Sequence, residues 1–430
     1  MDLIAKKQVW EFLLNSYYQK GGFKDGGYLV QFPREGDKKF KSRKDCAFYV
    51  NYTKEVIERF SSYLFKKPIV RNSNNDFLKM IFDDADFGGN SVDIFIQKLF
   101  KKSFLLGTGL VLIDMPKIIS KDLKAQKQNR EAPYFVDISL LDVYDFSFKN
   151  GKFEWIIFKF EIEEKTPFLN SKKRFEYHYW DALKFERRDE NKNKIEEFTH
   201  NLGICPVIVL NLADGLFENS ICYEISEISK RIYNARSELD EILRGQTFSV
   251  LAYHTPPDAV IPTEDIEISV NNVLLYQGNK PEFISPSEAN AKIYMELIQS
   301  LESKISEIGL NPINFSSRSN DSGAALKFKF ESLNAMLLKI SNNLEDFERR
   351  IFDCVNRWLK IKDWDFCVSY PCDFSISDLQ NDIQTALAME EFGMPISWKK
   401  SKQKELARLD LAGLDSDEMN EIYDEIEQNQ

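Results

Sequence analysis

The chain has 430 residues, 43% hydrophobic and 13% aromatic, enough for a sizeable core and two or three domains. No run approaches the ~20 apolar residues of a membrane span, and Met1 to Trp10 lacks a signal-peptide pattern, so a soluble, cytoplasmic chain with no membrane partner is expected. Formal net charge is -11, yet residues 1 to 130 hold 24 Lys+Arg against 15 Asp+Glu, and the remainder holds 33 against 53. The basic part is either ordinary solvated surface or a face that meets another component, and the acidic remainder argues against tight, static nucleic-acid binding.

In chain order, Asn51 to Phe65 reads as a helix stopped by Lys66-Lys67-Pro68, and Ser91 to Phe104 as another. Gly107-Thr108-Gly109 turns into an apolar strand, Leu110 to Ile113, and the charged stretch Lys117 to Arg130 reads as a loop. Strand-like runs follow at Tyr134 to Ile138, Phe153 to Phe160, Phe175 to Trp180 and Val207 to Leu210. Residues up to about 215 therefore predict an α+β domain.

A helical pattern begins at Ile221. Ile221, Ile225, Ile228, Ile232, Ala235, Leu239 and Ile242 alternate steps of four and three, which makes one narrow apolar stripe, with Glu224, Glu227, Arg231, Asn234 and Glu241 off it. A second pattern runs through Ala289, Ile293, Leu297, Ile298, Leu301, Ile305 and Ile308, opened by Ser285-Pro286-Ser287-Glu288 and closed by Gly309. Between the two, Pro256-Pro257 and Pro262 interrupt helix, while Ile266 to Val270 and Val273 to Tyr276 flank Asn271-Asn272 and read as a small β element with a tight reversal. The small, polar run Asn311 to Asp321 is either a mobile loop or a solvated linker.

The longest helical pattern follows. Leu333, Leu337, Ile340, Leu344, Phe347, Ile351 and Trp358 keep the four-three spacing, with one step skipped near Val355, and neither glycine nor proline intrudes from Ala324 to Trp358. At ~1.5 Å rise per residue this predicts a rod of roughly 50 Å, either a long core helix or a coiled coil. Ser377 with Gln380 forms a capping-box pattern, and Ser397 and Ser416 are placed to start two further short helices.

Chemical motifs are few. The six cysteines, Cys46, Cys205, Cys222, Cys354, Cys367 and Cys372, form no CxxC pair and read as free thiols. Asp84-Ala85-Asp86-Phe87-Gly88-Gly89 opens like an EF-hand loop but has Phe95 where a bidentate Glu is required. Gly107 and Gly109 lack the third glycine of a dinucleotide fingerprint, and no GxxxxGK[ST] loop exists to cradle phosphate. Ser397-Trp398-Lys399-Lys400 matches a bare SxxK and reads as a helix cap. His178, His200 and His254 follow no metal-ligand spacing, so no catalytic, cofactor or metal site is assigned.

The order of these pieces resembles the portal proteins of tailed bacteriophages. The phrases that carry the resemblance are Tyr49-Val50-Asn51-Tyr52-Thr53-Lys54, Tyr63-Leu64-Phe65, Lys67-Pro68-Ile69, Gly107-Thr108-Gly109 with Leu112-Ile113-Asp114, and His200 to Val207. Ser322-Gly323-Ala324-Ala325-Leu326 and Gly393-Met394-Pro395-Ile396-Ser397 complete the series over residues 45 to 425. The resemblance implies an α+β wing at 1–215, stem helices at 216–246 and 288–309, and a β clip at 247–287. It further implies a tunnel loop at 310–323, a long wing helix and return strand at 324–375, and a short helical crown at 376–430.

By the same resemblance, Ile221, Ile225, Ile228, Ile232, Leu239, Ile293, Leu297, Leu301 and Ile305 would pack the stem. Pro256, Pro257, Asp265, Asn271 and Asn272 would belong to the clip, and Asn311, Asn314, Phe315, Ser317, Arg318, Asn320 and Asp321 would face the channel. The implied function is a homo-oligomeric ring, a dodecamer, at one capsid vertex. Double-stranded DNA would pass through it without sequence readout; its partners would be the terminase large subunit, the major capsid or scaffold protein and a head-completion adaptor. Two alternatives from other classes are a coiled-coil interaction protein built on the long helix and an enzyme whose site converges only in space.

Overall fold

The computed structural model describes residues 2–33, 35–116, 120, 129–164, 172–247, 250–254, 273–276, 282–284, 288–309, 323–374, 395–410 and 416–428. The fold is mixed α+β, in two compact units, Met1–Asp373 and Phe374–Gln430.

The first unit begins with helices that the sequence signals only in part. Asp2 caps α1 (Leu3–Tyr18), accepting from the Ile4 amide at 2.9 Å, and Gln19 ends it in the left-handed region. After α2 (Asp37–Cys46), Asn51 serves two helices at once. Its Oδ1 accepts from the Lys54 amide at 2.9 Å to cap α3 (Tyr52–Leu64), and its Nδ2 donates to the Tyr17 carbonyl at 2.7 Å. The expected Asn51 to Phe65 helix is thus present, and its cap also fixes its angle to α1. β1 (Val70–Asn72) and α4 (Asp76–Asp83) lead to α5 (Val92–Leu106), capped by Ser91.

Gly107 ends α5 at φ +85, where a Cβ would lie 2.2 Å from the Glu218 carbonyl; one on Gly109 would lie 2.0 Å from Ser103 Oγ. These glycines let β2 (Thr108–Asp114) start against α5 and against the chain that returns at Glu218. β2 is buried at every position from Thr108 to Ile113 and is the middle of a sheet ordered β3-β2-β9, with β3 (Tyr134–Ile138) and β9 (Val207–Asn211) both antiparallel to it.

A five-stranded antiparallel meander lies between β3 and β9: β4 (Val143–Lys149), β5 (Lys152–Glu164), β6 (Lys172–Asp181), β7 (Lys184–Arg188) and β8 (Lys194–Thr199). The sequence marks β5 and β6 but not β7 or β8. Lys-Phe-Glu-Arg-Arg and Lys-Ile-Glu-Glu-Phe-Thr carry too many charges to read as strands, yet their Phe185 and Phe198 meet Trp180 on one face.

α6 (Ile221–Thr247) follows, then β10 (Val250–His254), β11 (Val273–Tyr276) and β12 (Glu282–Ile284), then α7 (Glu288–Ile308). β10 is the middle strand of this small sheet, parallel to β11 and antiparallel to β12. The expected strand at 266–270 and the Asn271-Asn272 reversal lie outside the described residues. α8 (Gly323–Leu359) spans 37 residues, about 55 Å. It packs on β2, β9 and α3 and leads to β13 (Cys367–Ser369), which pairs antiparallel with β1 and so brings the chain back to its N-terminal part.

In the second unit, α9 (Ile396–Asp410) starts one residue before Ser397, after Pro395, and α10 (Ser416–Gln428) starts at the expected Ser416. Lys400 and Lys404 of α9 donate to the Glu427 carbonyl and carboxylate at 2.6 Å each, which pairs the two helices. The capping-box pattern at Ser377 and Gln380 lies outside the described residues.

Candidate functional site

α6 is rooted in the first unit by small polar side chains. Ser226, Ser229, Asn234 and Ser237 are all buried, although helical periodicity alone leaves them off the apolar stripe. Ser226 Oγ lies 3.0 Å from Thr53 Oγ1, Thr53 Oγ1 lies 2.8 Å from Ser16 Oγ, and Ser16 Oγ lies 2.8 Å from the Tyr49 hydroxyl. This chain of hydroxyls joins α6, α3 and α1 through side chains short enough to let the backbones approach, and each link is satisfied by the next. Cys222 is fully buried beside it, and burial pushes its thiol up to about 12.

About two turns further along, Asn234 accepts from the Val30 amide at 2.9 Å and donates to the Tyr28 carbonyl at 3.0 Å, so a single amide holds the 28–30 segment against α6. Arg43, 2% exposed, completes the clamp. Its Nε and one terminal nitrogen donate to the two oxygens of Glu35 at 2.9 and 2.8 Å, and it also donates to the Val30 carbonyl at 2.6 Å and to Ser237 Oγ at 2.9 Å. These hydrogen bonds hold the Glu35 carboxyl below the usual carboxylate range.

α7 docks beside α6. The Tyr52 hydroxyl donates to Glu302 Oε1 at 2.5 Å and Arg236 donates to the same oxygen at 2.8 Å, so α3, α6 and α7 meet at one carboxylate. Ala291, Ile298 and Ile305 are buried, and Gly309 closes the helix where a Cβ would come within 3.0 Å of Val56. That seam repeats every seven residues and is rotated from the stripe read in the sequence. Ile293, two residues past Ala291 and so about 200° around the helix, is 61% exposed, and Met295 is 59% exposed. Of the other expected stem residues, Ile225, Ile232 and Ile305 are buried, whereas Ile221, Ile228, Leu239, Leu297 and Leu301 are half-buried.

The stripe of α8 is fully used within its own unit. Leu337, Leu344, Phe347 and Ile351 are at most 1% exposed, and Val355, at the step the four-three spacing skips, is fully buried. Trp358 Nε1 donates to the Ile113 carbonyl at 3.1 Å. On the same helix Glu348, fully buried, accepts from Arg71 on β1 and from the Tyr370 hydroxyl at 2.7 Å. A coiled-coil seam on these residues has no free face.

The EF-hand-like loop is closed by its own groups. Asp86 accepts from the Gly88 amide and the Asn90 side chain at 2.8 Å each, and Arg130 stands 3.4 Å from Asp84 with its guanidinium 4.3 Å from the centre of the Phe87 ring. His178 lies between the rings of Phe160 and Phe185, and burial holds its pKa below the ordinary value. Residues 311–321, with Asn311, Asn314, Phe315, Ser317, Arg318, Asn320 and Asp321, and the expected clip residues Pro256, Pro257, Asp265, Asn271 and Asn272 lie outside the described residues. Arg43, Tyr52, Asn234 and Glu302 escape sequence reading because they have partners distant along the chain: Tyr52 and Glu302 are 250 positions apart and Arg43 and Ser237 are 194 apart, while Glu35, 8 positions from Arg43, meets it across no regular helical spacing.

No protein-family description matches the sequence, and no curated protein matches it. Among solved structures, the chain is similar to one from the neck of a native GTA particle computed with C12 symmetry, at TM-score 0.47 and 10% identity over 91% of this chain and 98% of that one. It is also similar to one from the neck of an empty GTA particle computed with C6 symmetry, at 0.44 and 8% over 78% and 84%. A third similarity is to a chain of the virion of a native gene transfer agent (GTA) particle, at 0.41 and 10% over 96% and 98%. Likeness at this level carries no functional argument, which rests on the chain's own residues.

Proposed function

We propose that the chain is a portal subunit: a non-catalytic protein that forms a ring at one capsid vertex and acts as conduit for double-stranded DNA, assembly nucleus and docking ring. The observation that carries this reading is the two-sided apolar character of α7. One face is buried through Ala291, Ile298 and Ile305, and the opposite side holds Ile293 in the open; Met295, on the flank of the buried seam, and Leu243 of α6 are 59% and 43% exposed. A helix already packed on one side and apolar on the other needs a second partner, and in a ring each subunit meets its neighbour through a different patch from the one it offers back.

The module α6, small β-sheet, α7 then corresponds to stem, clip and stem, and α8 to the long wing helix. The polar run Asn311 to Asp321 is assigned to the channel, where one arginine per subunit, Arg318, would touch phosphate without gripping it. Terminase large subunit, capsid or scaffold protein and head-completion adaptor are the partners this role requires. The coiled-coil alternative is disfavoured by the internal use of the α8 stripe. Negative-stain imaging of purified protein is expected to show rings with a central hole. A strict monomer at high concentration would overturn the proposal.

A further inference from the structure

The five-stranded sheet has a face that the core does not cover. Ile156, Phe158, Trp180 and Phe185 are buried on its inner side, so the alternation of strands puts Ile157, Tyr177 and Tyr179 on the other. The β4–β5 register passes from Val143↔Phe158 to Asp145↔Ile157, leaving Tyr144 unpaired in a bulge, and bulges re-aim side chains. Here the Tyr144 ring stands edge-on to Tyr177 at 5.0 Å. The Tyr179 hydroxyl donates to Asp181 at 2.8 Å, and its ring stacks 6.4 Å from Trp155, which fixes the third wall.

These side chains enclose a concavity of about 420 Å³. Its rim is cationic: Lys184, Arg188 and Lys192 line it, and the Lys192 ammonium is 5.9 Å from the centre of the Tyr144 ring. Glu186, 5% exposed, lies beneath, and both Lys184 and Arg188 bind its carboxylate, so the two long cations are held in place. With Lys194, Glu197 and the Asp181 carboxylate at the Tyr179 hydroxyl included, four cations face three carboxylates, a positive spot in a chain of formal net charge -11.

We propose that this cup docks an acidic peptide segment of a partner protein. One aromatic or long aliphatic side chain enters between the tyrosines, and its flanking carboxylates meet Lys192, Arg188 and Lys184. Aromatic walls supply apolar contact at low entropy cost, and the rim supplies the sign of charge that selects the partner. A nucleic-acid strand fits less well, because its phosphates would run onto Glu161 and Glu163, which are exposed on the continuing strand β5. The site stands whether or not the chain forms a ring.

The test is carbodiimide cross-linking of the full chain to the peptide Ac-Asp-Glu-Phe-Glu-Asp-amide, with the adducts located by mass spectrometry. Adducts are expected on Lys192 and Lys184 in about fivefold excess over Lys152 and Lys173, falling about fivefold with Tyr144→Ala or when glycine replaces the peptide's phenylalanine. Tyr144 is 41% exposed, so the variant is expected to keep the wild-type circular dichroism, and Lys192→Glu, at an exposed turn, gives a second disruption. Uniform labelling of lysines, indifference to both substitutions, tighter binding of an oligothymidylate, or peptide-independent cross-links from Lys192 to another copy of the chain would each overturn it.

Discussion

Arg43→Met is the substitution whose consequence the structure defines most fully. Methionine keeps an unbranched apolar stem but loses the guanidinium, which lies 5.3 and 5.1 Å from the ring centres of Phe32 and Phe40. It removes both donors to Glu35, one to Val30 and one to Ser237, and leaves the Glu35 carboxylate, 7% exposed, with the Phe32 amide at 3.3 Å and the charge of Lys39 as its remaining support. Removing one partner of a buried pair costs about 3–5 kcal/mol, so the urea midpoint is expected to drop with little change in slope.

The pair itself is isolated by a cycle with Glu35→Gln, and the double variant is expected to recover about 2 kcal/mol relative to additivity. The pH dependence has a definite sign. A carboxyl whose folded pKa is depressed contributes stability in full above its unfolded value, ~4.3, and loses it as pH falls through the folded value. The stability gap between wild type and Arg43→Met is therefore expected to narrow below about pH 4. A loss under about 1 kcal/mol with strict additivity would refute the clamp.

Ile293→Asp is expected to abolish ring assembly in mass photometry while leaving the thermal unfolding of the protomer within about 0.5 kcal/mol, because the side chain it replaces is 61% exposed; intact rings would sink the assigned contact face. With a thiol-specific chromogenic reagent near pH 8, exposed Cys46, Cys367 and Cys372 are expected to react quickly and buried Cys205, Cys222 and Cys354, whose thiols burial pushes up to about 12, slowly. Fast reaction at Cys222 would contradict the rooted α6. Arg318→Ala is expected to impair DNA packaging without loss of the ring, and ring loss would contradict the channel assignment.

Local chemistry wrote much of the fold into the sequence. Asn51 and Ser91 mark helix starts because a short acceptor beside an orphaned amide is a strictly local interaction, and Gly107 marks a stop because no other residue takes its φ against the Glu218 carbonyl. Four-three spacing likewise located α6, α7 and α8, since periodicity depends only on helix geometry. β7 and β8 stayed hidden because their charges pair across the sheet, Lys184 with Glu197 and Arg187 with Glu196, and cross-strand partners have no fixed offset along the chain.

The stripe of α8 is the face it buries, whereas which side of α7 faces inward was decided by tertiary structure. A stripe specifies that a helix has an apolar face, not which neighbour covers it, and α7 is turned so that Ala291, Ile298 and Ile305 are buried while Ile293 faces out. The buried serines of α6 make the same point from the polar side. A hydroxyl is stable in a core only when its partners arrive there, and those of Ser226 come from Thr53 and, through it, Ser16. The sequence thus set the rods, caps and turns by interactions that reach a few residues. The seams, the clamp at Arg43 and the tyrosine cup arose only where distant segments met, because their energies depend on partners no local pattern can specify.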